Sequence, residues 1–264
     1  MAAEKFQAPY LQAQQKLGPE LNSFLSSIKS NAQFHYLELL SSYAQFVFST
    51  ESVIGAVSSQ LEKVILTGPL PISSLRNDEG SRVGIPNQDF AVLSFGSVYD
   101  PADFPEMVDI IVKETKRKNL KLLVSSKKLS CTPFPSHVEV YPYLPIPRLL
   151  NRARVFFHHG GANTFSEALL KGCPQIIIPL ATDQPIQAHY LVESGVGFAV
   201  NLPKGQPGEM SEIMDRVLDR SDVVHQRIKH MQQEYRRKNG AQRAIAMLKD
   251  IMVSQSSINV LDVA

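Results

Sequence analysis

Cysteine is scarce: only Cys131 and Cys173 occur in 264 residues. They stand far apart without metal-ligand spacing, which excludes a thiolate metal cluster and fits a reducing compartment with buried or incidental thiols. Long apolar runs are also missing, and none approaches the roughly 20 residues that a membrane-spanning helix needs. The first thirty residues, rich in Gln and Ser, lack the apolar centre of a signal peptide. A soluble cytoplasmic protein is therefore expected. Charge of one sign is lacking too. With 27 basic and 25 acidic side chains the formal charge is +2, so nothing electrostatic calls for nucleic acid or an anionic membrane as partner. The short run Arg236-Arg237-Lys238 closes an amphipathic segment, where cations suit a helix C-terminus.

What is present is ordinary for a globular chain: 44% hydrophobic and 20% charged residues, enough to bury a substantial core in one large or two small domains. Residues 4–45 read as helical, with Leu21, Phe24, Leu25 and Ile28 at helical spacing after Gly18-Pro19. Two short apolar runs follow, Phe46-Val47-Phe48 and Val64-Ile65-Leu66. The stretch from Pro71 to Gln88, with Ser73, Ser74, Asn77, Asp78, Gly80, Gly84 and Pro86, is the best linker in the chain.

Beyond it the pattern becomes regular. Apolar runs at Ala91–Phe95, Leu120–Val124, Val138–Tyr141, Val155–Phe157 and Gln175–Ile178 read as buried strands. Helices are expected between them: one begun by Asp103 with Glu106 as a capping box, then Pro147–Arg152, Asn163–Lys171 and Pro185–Glu193. Strands that are apolar on both sides and alternate with helices predict a parallel sheet covered on both faces. The last third is helical, with Val224, Ile228, Met231 and Tyr235 on one face and Ala244, Leu248 and Ile251 on another after Gly240.

In such a sheet a ligand sits beyond the C-terminal ends of the strands, where helix N-termini point. Two strand ends carry suitable chemistry. Phe95-Gly96-Ser97 closes the first strand. His158-His159-Gly160-Gly161-Ala162-Asn163-Thr164 closes the fourth and opens a helix, so that backbone N–H groups, an imidazole and small polar side chains form a diphosphate cradle. Glu167 lies one turn on, where a carboxylate accepts hydrogen bonds from the vicinal hydroxyls of a ribose. Structural alternatives stand beside these roles: a plain Gly-Gly turn, Tyr143 as a core aromatic, Ser97 as a turn residue, Asp183 as a helix cap. Adjacent His158 and His159 point to opposite faces of a strand, which argues against a shared metal. His158 is expected to be packed or paired to backbone.

The combination resembles the nucleotide-binding signature of the UDP-glycosyltransferase family, whose members share the GT-B fold. The matching stretch runs from Tyr143-Leu144-Pro145 through His159-Gly160-Gly161-Ala162-Asn163-Thr164 and Glu167 to Pro179-Leu180-Ala181-Thr182-Asp183-Gln184. Phe95-Gly96-Ser97 and Gly240-Ala241-Gln242-Arg243-Ala244 extend it, so that it covers about residues 64–252. The resemblance implies an α/β GT-B C-terminal Rossmann-like domain with helices on both faces, plus a helical N-terminal remnant. It implies that Tyr143 stacks on uracil and that the backbone of Ile146 meets the base edge. Ser97, His159, Gly161 N–H, Asn163 and Thr164 would hold the diphosphate, Glu167 the ribose, and Asp183 with Gln184 the transferred sugar. No metal and no cofactor is implied, the UDP-sugar being the donor substrate. Helix termini and an imidazole would stabilise the departing diphosphate, and a base would deprotonate the acceptor.

Three features depart from the family pattern. Tyr143 stands where Trp is usual, which keeps a smaller stacking face, and Ile146 replaces the usual Gln. Only about 90 residues precede the first motif strand, against the roughly 150–200 of a full domain. Residues 1–72 are accordingly read as a remnant of the N-terminal acceptor domain, 73–88 as linker, 89–254 as the UDP-sugar-binding domain and 255–264 as a tail. His35 matches no family motif, and no acceptor base is assigned. The expected function is transfer of a hexose from a UDP-sugar to a hydroxyl of a small or lipophilic acceptor. The alternatives are a UDP-sugar-binding module or inactive form that needs a partner and, further off, a UDP-sugar epimerase or hydrolase. An exposed former interdomain face would favour self-association or a partner.

Overall fold

A computed structural model describes residues 45–54, 64–70, 83–201 and 208–259. The helical reading of residues 4–45 lies outside these residues, save for Gln45, which opens a strand. The chain divides into two compact units, Met1–Pro69 with Asn239–Ala264, and Leu70–Lys238. These limits differ from those expected at 72/73, 88/89 and 254/255, chiefly because the last helix groups with the first segments instead of with the large sheet.

In the first unit, strand β1 (Gln45–Val47) pairs in parallel with β2 (Val64–Leu66). A single helical turn, α1 (Glu51–Ile54), follows β1. Thr67 is buried and its hydroxyl donates to the Val47 carbonyl at 3.2 Å, which extends the pairing past β2. The N–H of Gly240, where the final helix begins, donates to the Pro69 carbonyl at 3.0 Å. The face of that helix expected to be apolar is only partly covered. Ala244 is buried and Ile251 half-buried, but Leu248 is exposed.

The second unit holds a six-stranded sheet. Its strands are β3 (Phe90–Ser94), β4 (Lys121–Ser125), β5 (Val138–Tyr141), β6 (Val155–His158), β7 (Gln175–Ile177) and β8 (Gly197–Ala199). They lie in the order β5-β4-β3-β6-β7-β8, and every pairing is parallel. The helices of this unit are α2 (Pro105–Arg117), α3 (Ile146–Leu149), α4 (Ala162–Lys171), α5 (Gln184–Glu193), α6 (Glu209–Leu218) and α7 (Val223–Arg237). The remaining helix, Gly240–Asn259, is α8.

Side-chain alternation explains why the strands are apolar throughout. Ala91 and Leu93 of β3, Leu122 and Val124 of β4, and Val155 and Phe157 of β6 face one core layer, with Met107 and Ile111 of α2 and Met210 and Met214 of α6. Phe90 and Val92, Leu123 and Phe156 face the other, with Leu149 of α3 and Ala168 of α4. Both faces of β3 are dry, so all five of its residues are buried. On α7 the expected stripe of Val224, Ile228, Met231 and Tyr235 is buried, and the helix packs on α4.

One helix start differs from expectation. Asp103 and Glu106 do not form a capping box: α2 begins at Pro105 with Phe104 as an N-cap that offers no side-chain acceptor. Asp100 caps the preceding 3-10 turn (Pro101–Asp103) through Ala102 N–H at 3.0 Å, while Asp103 takes the ammonium of Lys128 at 2.5 Å. A proline at each helix start supplies the preset φ that the missing cap would otherwise help to impose.

Candidate functional site

Numbered from its own first strand, the sheet runs 3-2-1-4-5-6, the doubly wound order whose ligand crevice opens where the winding reverses. Here that point lies between β3 and β6, with Ser94 in register opposite His158. The chain leaves these strands through Phe95-Gly96-Ser97 and His159-Gly160-Gly161, so the two motifs arrive side by side.

Gly96 and Gly161 bracket the imidazole of His159. A Cβ on Gly96 would stand 2.8 Å from His159 Cε1, and one on Gly161 would stand 2.7 Å from Nε2. Gly96 also has φ +78°, in the left-handed region that favours glycine. The ring is partly buried, lies 6.2 Å from the Tyr99 ring between centroids, and keeps a buried Nδ1 without a hydrogen-bond partner. Burial pulls its pKa below the ordinary histidine value, and Asp183 nearby opposes that pull. His159 is therefore a neutral imidazole at pH 7. His158 is wholly buried and bonded to Gln175 and to the Gly160 N–H, as expected of its place inside the sheet.

Helix α4 starts immediately after Gly161, which has extended backbone and makes no side-chain cap. The N–H groups of Ala162, Asn163 and Thr164 thus have no acceptor within the helix, and the positive end of its dipole faces the crevice. Asn163 and Ser97 are exposed and Thr164 is half-buried. Glu167 is only 7% exposed, and its Oε1 is buried without a hydrogen bond. Lys171, one turn on, holds its Nζ 3.7 Å from that oxygen, too far to bond it. A buried carboxylate oxygen without a hydrogen bond is costly even beside a cation, and it has room for a donor.

Tyr143 and Ile146 follow β5 at the sheet edge, two strands from β3. They return toward the switch point because α3 packs on α4, and Leu144 and Leu149 share the core layer of Ala168. Tyr143 is 53% exposed. The N–H of Ile146 is taken by the Leu144 carbonyl at 2.8 Å, and its own carbonyl accepts from Leu150 N–H at 3.0 Å. A second lone pair on that carbonyl is what its backbone has left to offer a ligand.

The loop after β7 separates the closing acidic-Gln pair. Asp183 is exposed at the N-cap position of α5 yet makes no capping bond; it accepts from the Thr182 hydroxyl at 3.0 Å. Gln184 is buried, and its side-chain oxygen accepts from the N–H groups of Leu180 and Ala181 at 2.8 and 3.0 Å. Its oxygen thus shapes the loop that presents Asp183. Thr182 sits at φ +57°, unusual for a β-branched residue.

One contributor escaped the sequence reading. The carboxylate of Asp100 accepts from Ala102 N–H, from Ser126 Oγ at 2.5 Å and from Lys127 N–H at 3.1 Å, which ties the loop after β3 to the loop after β4. Burial alone would raise its pKa, but these bonds outweigh it and hold the carboxyl below its usual range. The Asp100-Pro101 pair, a turn-initiating dipeptide, is the local signal that points to it. Among the described residues, no group of three or more His, Cys, Asp or Glu side chains gathers as a metal site would require.

Comparison with known proteins finds glycosyltransferases. The family described as "Erythromycin biosynthesis protein CIII-like, C-terminal domain" matches residues 121–242. The NDP-glycosyltransferase YjiC of Bacillus subtilis is 26% identical over 167 residues, which is 61% of this chain and 41% of that protein. The uncharacterized UDP-glucosyltransferase YojK of the same organism is 22% identical over 240 residues, 90% of this chain and 58% of that one. The solved structure of the glycotransferase of kitacinnamycin superposes with a TM-score of 0.73 at 20% identity, covering 92% of this chain and 65% of that chain. Over residues 121–242 the chain is similar to glycosyltransferases, and its fold is the one that GT-B glycosyltransferases share. The chain spans less than two thirds of the length of each relative named here. The matched stretch 121–242 contains the residues from Tyr143 to Gln184 that surround the switch-point crevice.

Proposed function

We propose that this chain carries the donor-binding part of an enzyme that transfers a hexose from a UDP-sugar to a hydroxyl of a small or lipophilic acceptor. The observation that carries the proposal is the coincidence, at one switch point, of an uncapped helix start, an imidazole seated between two glycines and a buried oxygen of Glu167 that makes no hydrogen bond. The N–H groups of the first turn of α4, with Ser97, Asn163 and Thr164, receive the diphosphate. His159, a neutral donor in a partly dry site, stabilises the negative charge that grows there as the sugar departs. Glu167 accepts from the ribose hydroxyls, and Tyr143 offers its exposed ring to uracil. Asp183, presented by the loop that Gln184 holds, accepts from sugar hydroxyls. Relatives whose names denote nucleotide-sugar-dependent transfer support the same class of reaction.

Calorimetric titration with UDP and with uracil tests this reading on wild type and Glu167→Ala. Loss of the carboxylate is expected to weaken UDP by about 1–3 kcal/mol and uracil very little. An equal loss for both ligands would show that Glu167 does not read the ribose, and absence of UDP binding by the wild type would sink the proposal.

A further inference from the structure

The amino ends of β3, β6 and β7 border a second cleft, on the pole of the parallel sheet opposite His159, with a volume of about 730 Å³. Cations dominate its wall. Arg152 and Arg154 precede β6, Lys171 ends α4, Arg220 follows α6 and Lys229 lies on α7. Among the described residues that line it, Asp89 is the one carboxylate. Asp89 answers Arg154 at 3.2 Å, and Glu167 stands 3.7 Å from Lys171. Arg152, Arg220 and Lys229 are exposed and make no ion pair among the described residues. Helix ends offset only part of this excess. The C-termini of α4 and α6 contribute roughly −0.5 charge each and the N-terminus of α7 roughly +0.5, which leaves about −0.5 against three cations.

We propose that this basal cleft binds a compact, multiply charged phosphate compound. Three unanswered cations around one concavity repel one another in the free protein, and an anion placed among them relieves that repulsion. Two of the three are arginines, whose planar fork matches phosphate oxygens in pairs. No Phe, Tyr or Trp lines the cleft, and its one aromatic ring, His225, is tied to the Val217 carbonyl at 2.9 Å, so little there favours a nucleobase. The apolar lining is confined to Leu150, Ala153 and Pro174, too little to take an acyl chain. The ligand class is therefore a small polyphosphate or phosphate ester, and the site stands apart from the donor crevice.

The probe is sodium tripolyphosphate, titrated calorimetrically into the wild type and into the triple variant Arg152→Ala/Arg220→Ala/Lys229→Ala, with UDP titrated into both. Wild-type binding that the variant weakens at least tenfold, with UDP affinity unchanged within twofold, is the expected result. If the triple variant does not fold, Arg220→Gln and Lys229→Gln singly are each expected to weaken tripolyphosphate at least threefold. Equal affinity of wild type and variants would overturn the proposal, because the anion would then sit elsewhere. Cosedimentation with phosphatidylglycerol vesicles without tripolyphosphate binding would also overturn it, since the cations would then serve a flat anionic surface. A wild type that binds tripolyphosphate in this way but not UDP would sink the donor reading and leave this one standing.

Discussion

His158 on β6 donates its Nε2–H to the side-chain oxygen of Gln175 on β7, 2.9 Å away and wholly shielded from water. The Gly160 N–H can only donate, so Nδ1 of the same ring must accept it, at 3.2 Å. One neutral tautomer satisfies both bonds. His158 therefore pins the turn that carries His159 and Gly161 to the neighbouring strand without itself reaching the crevice.

This arrangement sets an acid limit on stability. Burial, then the neighbouring His159, push the His158 pKa down to about 3 against the opposing bond to Gln175. An unfolded histidine titrates near its ordinary value, about 6.5. Below that pH the unfolded chain takes a proton that the folded one refuses, so the stabilisation present above about 6.5 is lost progressively down to about 3. Urea unfolding of the wild type is expected to weaken over that range with a slope of up to about 1.4 kcal/mol per pH unit from this group. The variant His158→Gln should be less stable at pH 7 and flatter with pH. A variant with the wild-type slope would assign the acid loss to other groups.

The two glycines beside His159 are expected to fail differently. At Gly161 the backbone is extended, φ −60°, so Gly161→Ala meets no backbone strain and only the imidazole is displaced. UDP affinity should fall about tenfold, with stability changed by less than about 1 kcal/mol. At Gly96 a side chain meets the same ring and a left-handed φ as well, so Gly96→Ala should cost at least about 1 kcal/mol more in stability. Thermal unfolding beside calorimetry separates the two. Equal destabilisation by both variants would show that the ring, and not the backbone, sets the cost.

Asp183 occupies a helix-cap position without capping, so its carboxylate is expected to matter little for folding. Asp183→Asn should change stability by no more than about 0.5 kcal/mol. It should also lower the His159 pKa further, because burial then acts unopposed by that charge. Proton NMR of the ring through a pH titration reads the shift directly. A rise in the His159 pKa, or a large loss of stability, would contradict this account.

Much of the fold is legible along the chain because apolar runs of strand length are a local property. The runs at 91–95, 138–141 and 155–157 coincide with β3, β5 and β6 to within a residue at each end, and the alternation with helices already implies the parallel arrangement. β8 is not legible. Gly197-Phe198-Ala199 is short and follows Ser194-Gly195, a turn signal, and it becomes a strand only because the exposed ladder of β7 receives it. The start of α2 misleads for a related reason. Asp103 and Glu106 have the spacing of a capping box, but Lys128, 25 residues on, competes for Asp103.

The sequence by itself determined the α/β class, the parallel sheet and the order in which Ser97, Tyr143, His159, Glu167 and Asp183 appear. Hydrophobic periodicity and a glycine-rich strand end are encoded within a few neighbouring residues. Only the tertiary structure decided which hydrogen-bonding capacity those residues retain. Ile146 and Gln184 stand in the motif, yet the loop backbone takes the N–H of one and the side-chain oxygen of the other. It also decided that Glu167 keeps a buried oxygen without a hydrogen bond, and that Arg152, Arg220 and Lys229, scattered over 78 positions, share one cleft. Such outcomes depend on which groups meet in space. Contacts between residues far apart in the chain follow from how the helices pack on the sheet, not from the residue types alone.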